Sequence, residues 1–238
     1  MPLVLQNSSW LCVIYILYFC YAYTWVERTS LIDDYGVLGA SPGFSRGYVS
    51  HTPLFADASM IYLLPPNDRN ANTILPIDLI CKQTQAEYNQ TLGSPVLSAS
   101  TGGTVLLMYQ ENGHVTLLDQ TPGKASSGNV FVYGTAIPSS SNSLQAIHHV
   151  WNSEGTGGDT RGRLLIEAPF NNGSCYQINS SPESIRRQGI PQRQHETFEG
   201  DNLWCGMQIA LPSGVAQGSF YTLYWQEIYT TCVDIQIS

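Results

Sequence analysis

Two short stretches of this sequence carry the side chains best suited to holding a metal ion or moving a proton. Tyr109-Gln110-Glu111-Asn112-Gly113-His114-Val115 sets His114 directly after a Glu-Asn-Gly turn at a strand end, where an imidazole can project from a rigid sheet edge. Trp225-Gln226-Glu227-Ile228-Tyr229-Thr230-Thr231-Cys232-Val233-Asp234 sets Glu227 and Tyr229 two residues apart, on one face of a strand, with Cys232 three residues further on. The plain structural reading makes His114 an exposed turn residue, Tyr229 a core aromatic and Glu227 a solvated charge, because most residues of these types are structural.

Three other patterns invite chemistry and fail on context. Gly43-Phe44-Ser45-Arg46-Gly47 has the G-x-S-x-G spacing of a nucleophile elbow, but Ser41-Pro42 precedes it where a buried strand is needed, and Tyr48-Val49-Ser50 follows where a helix is needed. A loop is expected there, and a hydrolase using Ser45 is not. Gly155-Thr156-Gly157-Gly158 lacks the Gly-Lys-Ser/Thr ending of a phosphate loop and opens no βαβ unit. His148 and His149 are adjacent, so on a strand they would point to opposite faces and could not share a metal.

The elements that must position these residues read as strands. Short β-branched or aromatic runs at residues 104–109, 129–133, 163–166, 207–211, 220–225 and 232–237 are bounded by Gly, Pro, Asn or Ser, and no helix-length 3.6 periodicity appears. Turn signals such as Glu111-Asn112-Gly113 and Pro122-Gly123 lie between them. This spacing predicts an all-β sandwich, with long loops over residues 152–162 and 180–201 and no linker dividing the chain.

Composition narrows the setting. The chain has 238 residues, of which 12% are charged, with ten basic side chains against eighteen acidic and a net charge of -8. Scattered basic residues on an acidic chain give no footprint for nucleic acid or an anionic membrane. Residues 1–22 hold no charge, residues 10–20 form an apolar run of secretory length, and Cys20-Tyr21-Ala22 suits a signal peptidase. The expectation is a signal peptide over 1–22 and a single secreted domain over 23–238. A membrane anchor is the rival reading, but the apolar stretch ends at Glu27 and Arg28, short of the ~20 residues a span needs. Cleavage removes Cys12 and Cys20 and leaves Cys81, Cys175, Cys205 and Cys232, too widely spaced for a zinc knuckle and even in number, as two disulfides require. Sequons at Asn89, Asn172 and Asn179 agree with a glycosylated extracellular surface.

Taken with Tyr23-Thr24-Trp25-Val26-Glu27 after the expected cleavage site, the two stretches resemble fungal secreted proteins of the lytic polysaccharide monooxygenase type. The resemblance runs over nearly all of the mature chain. It implies an immunoglobulin- or fibronectin III-like sandwich whose flat face binds chitin or cellulose; a monomer is expected. It also implies a copper ion held in a histidine brace by the amino group and imidazole of an N-terminal His and by a second His. In the resemblance His114 matches the second brace histidine, Tyr229 the axial aromatic and Glu227 the neighbouring Gln or Glu; Cys232 is the disulfide cysteine, with Cys81 as partner and Cys175 left for Cys205.

This sequence departs from that pattern at its first mature residue, where Tyr23 stands in place of His. The α-amino group of Tyr23 would survive, but a neutral phenol with an ordinary pKa near ~10 is a poor substitute for imidazole. The nearest downstream histidine is His51, in an expected loop. Trp225 also runs straight into Gln226-Glu227, where the resemblance implies a longer Trp- and Pro-rich connection. Two functions follow as expectations: copper-dependent oxidative cleavage of a polysaccharide, or a non-catalytic relative that binds glycan or associates with a cell wall.

Overall fold

The computed structural model describes residues 23–118, 125–190 and 201–238. The expected signal peptide and the Pro122-Gly123 turn lie outside the described residues. Among the described residues eight strands form two sheets: β1 (Val26–Leu31), β2 (Leu97–Ala99), β3 (Thr104–Tyr109), β4 (Asn129–Thr135), β5 (Gly162–Pro169), β6 (Cys205–Ala210), β7 (Phe220–Gln226) and β8 (Thr230–Ile237). The smaller sheet runs β1-β3-β6 and the larger β2-β8-β7-β4-β5. Every pairing is antiparallel except that of β2 with β8. The fold is an all-β sandwich, and among the described residues no helix is long and apolar enough to cross a membrane.

Alternation along the strands builds the core between the sheets. Val105, Leu107 and Tyr109 of β3 face Leu223, Trp225, Val233 and Ile235 of β7 and β8, all buried. Each fully buried large apolar side chain of this kind contributes roughly 1.5–3 kcal/mol. β7 is buried on both faces beyond its first residue, because Tyr224 on its outer side packs under Leu64, Ile80, Leu144 and Trp151 from the loops and from α1 (Leu144–Ile147). Double burial explains why β3 and β7 read as continuous apolar runs and not as alternating ones.

The six expected strands all form, within two residues at either end except β5, which runs three residues further to Pro169. Two further strands were not expected. β2 is three residues long, and β1 carries Glu27 and Arg28, which disguise it as a polar segment. A register shift between Val26 and Arg28 makes Glu27 the extra residue of a β-bulge, a device that re-aims a side chain. Its carboxylate, 2% exposed, accepts a hydrogen bond from Gln110 Nε2 at 3.1 Å and faces His51 Nε2 at 3.2 Å.

The loop expected over residues 180–201 is corrected in its first part, which holds the helix α2 (Pro182–Gln188). Ser181 caps it by accepting from the backbone N–H of Ser184, Pro182 supplies a preset first-turn φ, and Glu183 and Arg186 sit at the ends that suit their charges. The loop over residues 152–162 is as expected up to Gly162, which opens β5. Asn152 Oδ1 accepts from the N–H groups of Thr156 and Gly157, and Asp159 accepts from the Trp151 indole, so this turn is a cover over Trp151.

Candidate functional site

Three segments far apart in sequence deliver Tyr23, His114, and Glu227 with Tyr229 to one place. The His114 ring lies edge-on to Tyr229 at 5.8 Å between centroids, Tyr23 lies edge-on to Tyr229 at 6.3 Å, and His114 Nδ1 is 3.7 Å from Glu227 Oε1. The His114 ring also stacks on Phe170 at 5.0 Å. Phe170 is held in turn by the Tyr109 hydroxyl, which donates to its carbonyl at 3.0 Å.

The backbone reasons are local. Asn112 and Gly113 both take positive φ, 40° and 88°, so the Glu-Asn-Gly turn needs residues that tolerate the left-handed region. Glu111, which sequence reasoning saw only as part of the turn, locks it. Its carboxylate accepts from the N–H groups of Val115 and Gln177, both at 2.8 Å, from the N–H of Thr116 at 3.2 Å, and from the Thr116 hydroxyl. Gln177 lies two residues after Cys175, which the structure pairs with Cys205. Asn112 Nδ2 donates to the Tyr23 carbonyl at 2.7 Å and fixes the start of the described chain beside the turn.

Two expectations about orientation are corrected. His114 does not stand out from a sheet edge as a turn residue would; it is 1% exposed, because Phe170, Tyr229 and the Glu227 side chain close over it. Glu227 and Tyr229 do not share a strand face, since β7 stops at Gln226 and β8 starts at Thr230, and both lie in the tight connection. The Glu227 N–H donates to the Tyr229 carbonyl at 2.9 Å, and Glu227 Oε2 accepts from the N–H of Ile228 at 2.8 Å. Tyr229 is pinned from the other side by a bridge to Leu63, and three residues later Cys232 is joined to Cys81.

Electrostatics keeps the Tyr229 phenol neutral. Burial first, then the Glu227 carboxylate and the Tyr23 phenol, push Tyr229 well above its ordinary pKa. A phenol in that state offers a metal no phenolate. A histidine brace needs two imidazoles and an amine, and this cluster supplies one imidazole, beside the Tyr23 phenol. The donor set therefore does not fit a copper brace. Among the described residues no group of three His, Cys, Asp or Glu side chains is placed to hold a metal.

The remaining patterns resolve structurally. Ser45 is 0% exposed, and a Cβ on Gly43 would fall 2.4 Å from the Leu97 backbone, so the glycine of this motif is required by close strand approach and lifts no nucleophile into solvent. Asn89 and Asn172 are exposed, whereas Asn179 is half-buried with its amide donating to Thr116 Oγ1 and to the Gln177 carbonyl.

His148 and His149 are not on a strand. They end α1, with His149 at a φ of 59°, and their rings meet at 3.8 Å instead of diverging. The Tyr133 hydroxyl contacts His148 Nδ1 at 3.0 Å and accepts from the His149 N–H at 3.1 Å. Burial, reinforced by the neighbouring His149, holds the His148 imidazole down at about 4. Its folded pKa lies below the unfolded one, so the unfolded chain binds more protons in between. Stability present above about pH 6.5 is lost as pH falls toward 4, by about 1–2 kcal/mol once partial solvent exposure is allowed for. Chemical denaturation at pH 7 and pH 4.5 should show this loss in the native chain and a smaller one in His148→Gln; equal losses would remove His148 as the cause.

A family model described as Domain of unknown function (DUF7492) matches residues 20–225. No curated protein matches the chain.

Proposed function

We propose, from the premise that the chain belongs to the DUF7492 family, that it is a secreted polysaccharide-binding sandwich whose metal centre has been lost. The observation that carries this reading is Tyr23, which packs edge-on against Tyr229 and stands at the sequence position where the resemblance implies a brace histidine. The resemblance to polysaccharide monooxygenases supports a glycan ligand, chitin or cellulose. Two disulfides are what an oxidising compartment permits. In the copper-dependent alternative, His114, Tyr229 and Glu227 would be the working set, and their assembly in one place favours it to that extent.

The cluster then acts as a rigid end to the sandwich. Tyr23 packs beside Tyr229, and the buried His114 Nδ1 and Glu227 Oε1 face one another at 3.7 Å. Copper titration by calorimetry, on protein whose N-terminus has been confirmed by mass, separates the readings. Weak binding by the native chain and binding about a hundredfold tighter in Tyr23→His are expected, a difference of ~2.7 kcal/mol. Tight one-to-one binding by the native chain would restore the oxidative reading. Co-sedimentation with chitin and cellulose, without copper or reductant, should retain the native protein, and retention on neither would end the glycan-binding reading.

A further inference from the structure

Phe220 opens β7 at the end remote from the Tyr229 cluster, separated from it by the length of the strand, on the order of 20 Å. It is 37% exposed, and beside it stands Tyr88, 54% exposed, with ring centroids 4.9 Å apart and planes inclined at 45°. Two hollows of ≈ 460 and ≈ 450 Å³ adjoin this pair and share Ala86, Glu87, Tyr88 and Ser140, so they meet across the tyrosine. Their combined size is that of a ligand cleft. Ser139 and Ser140 put hydroxyls on the wall of the first hollow, and Gln83, Thr84 and Asn89 line the second.

The floor of the first hollow is electrically spent. Arg46, Thr222 and Asp234 reach it, but the guanidinium is committed to Asp234, to Thr222 and to the carbonyls of Gln85 and Ala86. No basic group is left there for an anion, the wall carries the Glu87 carboxylate, and the whole chain is at -8. Acidic ligands are disfavoured by that sign. A tilted pair of half-exposed rings flanked by hydroxyls and amides matches a ligand with apolar faces and polar edges. A neutral pyranose has both, with C–H groups on the ring face and hydroxyls around its rim.

We propose that Tyr88 and Phe220 form a stacking shelf for a neutral oligosaccharide, a subsite on a different part of the molecule from the His114 and Tyr229 cluster. The proposal rests on the polysaccharide-binding reading and adds to it where the chain of sugars is gripped. Glu87, Ser139 and Ser140 accept from or donate to the hydroxyl rim of a sugar stacked on the rings.

Calorimetry with cellohexaose and with N-acetylchitohexaose tests it on the native protein, Tyr88→Ala, Phe220→Ala, Tyr88→Phe and Asn89→Gln, each checked by thermal melting. Both rings are half-exposed, so the alanine variants should melt as the native protein does. The native chain should bind at least one of the two hexasaccharides, the alanine variants about tenfold more weakly, and Tyr88→Phe almost as the native chain does. Native binding that neither alanine variant weakens would overturn the shelf and leave polysaccharide binding standing. Binding that appears only in Asn89→Gln would mean that the chain's own glycan fills the cleft, which overturns an external occupant. No binding of either sugar by any variant, with no retention on chitin or cellulose, would overturn both proposals.

Discussion

Asp234→Ala is expected to destabilise the fold by about 3–5 kcal/mol, because it strands a buried guanidinium. Arg46 Nε and Nη2 each meet an Asp234 oxygen at 2.7 Å, and the two side chains are 3% and 1% exposed. The other donors are equally committed: Nη1 to the carbonyls of Gln85 and Ala86, and Nη2 also to the Thr222 hydroxyl at 3.0 Å. The planar fork thus stitches the 44–47 segment, the 85–86 segment, β7 and β8 together. Attraction in so dry a place is offset largely by the water both ions gave up, so the pair contributes little net stability while either partner alone is a heavy liability. Urea unfolding of Asp234→Ala, Arg46→Met and the double variant Arg46→Met with Asp234→Leu distinguishes these statements. The double variant should unfold within about 1–2 kcal/mol of the native chain, far better than Asp234→Ala. A single-variant loss below ~1 kcal/mol would mean that water reaches the pair. Because Ala86 is a neighbour of Tyr88 in both hollows, losing this clamp should also loosen the aromatic shelf.

What could be read in advance follows from what each segment buries. Strands β3, β4, β7 and β8 announce themselves, since β-branched and aromatic residues fill both sides of a covered sheet. β1 hides because Glu27 and Arg28 look like surface; the Gln110 and His51 contacts of Glu27, and the Phe44 ring under the Arg28 guanidinium, show how two charged residues lie in a strand that is mostly buried. α2 is signalled only by its ends: Ser181-Pro182-Glu183 is an N-terminal signature, with Arg186 and Arg187 at the other end. It is too short for periodicity to reveal.

The cluster was legible as residue types and not as geometry. His114, Glu227 and Tyr229 could be singled out by their spacing, yet the enclosure of His114 depends on Phe170, which comes from the end of β5 and has no sequence relation to it. The lock supplied by Glu111 was likewise invisible, because its partner Gln177 is 66 residues away. The adjacent histidines mislead for a backbone reason. Alternation of side chains holds on a strand, and a residue at positive φ after a helix turns its ring back onto its neighbour. The aromatic shelf left no sequence signal at all, since Tyr88 and Phe220 meet only through the fold.

Removing the Cys81–Cys232 disulfide should cost more than removing Cys175–Cys205. The first closes a separation of 151 residues and the second one of 30. Loop-closure entropy in the unfolded chain then gives about 5 kcal/mol against about 3.5 kcal/mol at 25 °C, as upper values. Local geometry alone would rank them otherwise. β8 is already held to the 62–85 segment by the Thr230 hydroxyl on the Ile80 carbonyl at 2.6 Å, by the Thr230 N–H on the Tyr62 carbonyl at 3.0 Å and by the Cys232 N–H on Gln85 Oε1 at 3.0 Å. Those bonds persist in the reduced protein, so the stabilisation from the first disulfide comes chiefly from restricting the unfolded state. The Cys175 segment leans instead on Glu111, whose carboxylate joins it to the His114 turn, and on Arg187, which donates to the Cys175 carbonyl at 2.6 Å. Paired alanine variants at each bridge, unfolded in guanidinium, measure the difference. A greater loss from Cys175→Ala with Cys205→Ala would show that the native contacts around the His114 turn, and not chain entropy, set the order. The same variants should differ at the His114 turn: Cys81→Ala with Cys232→Ala leaves it intact, whereas loss of the shorter bridge loosens the Gln177 contact on Glu111 that locks it.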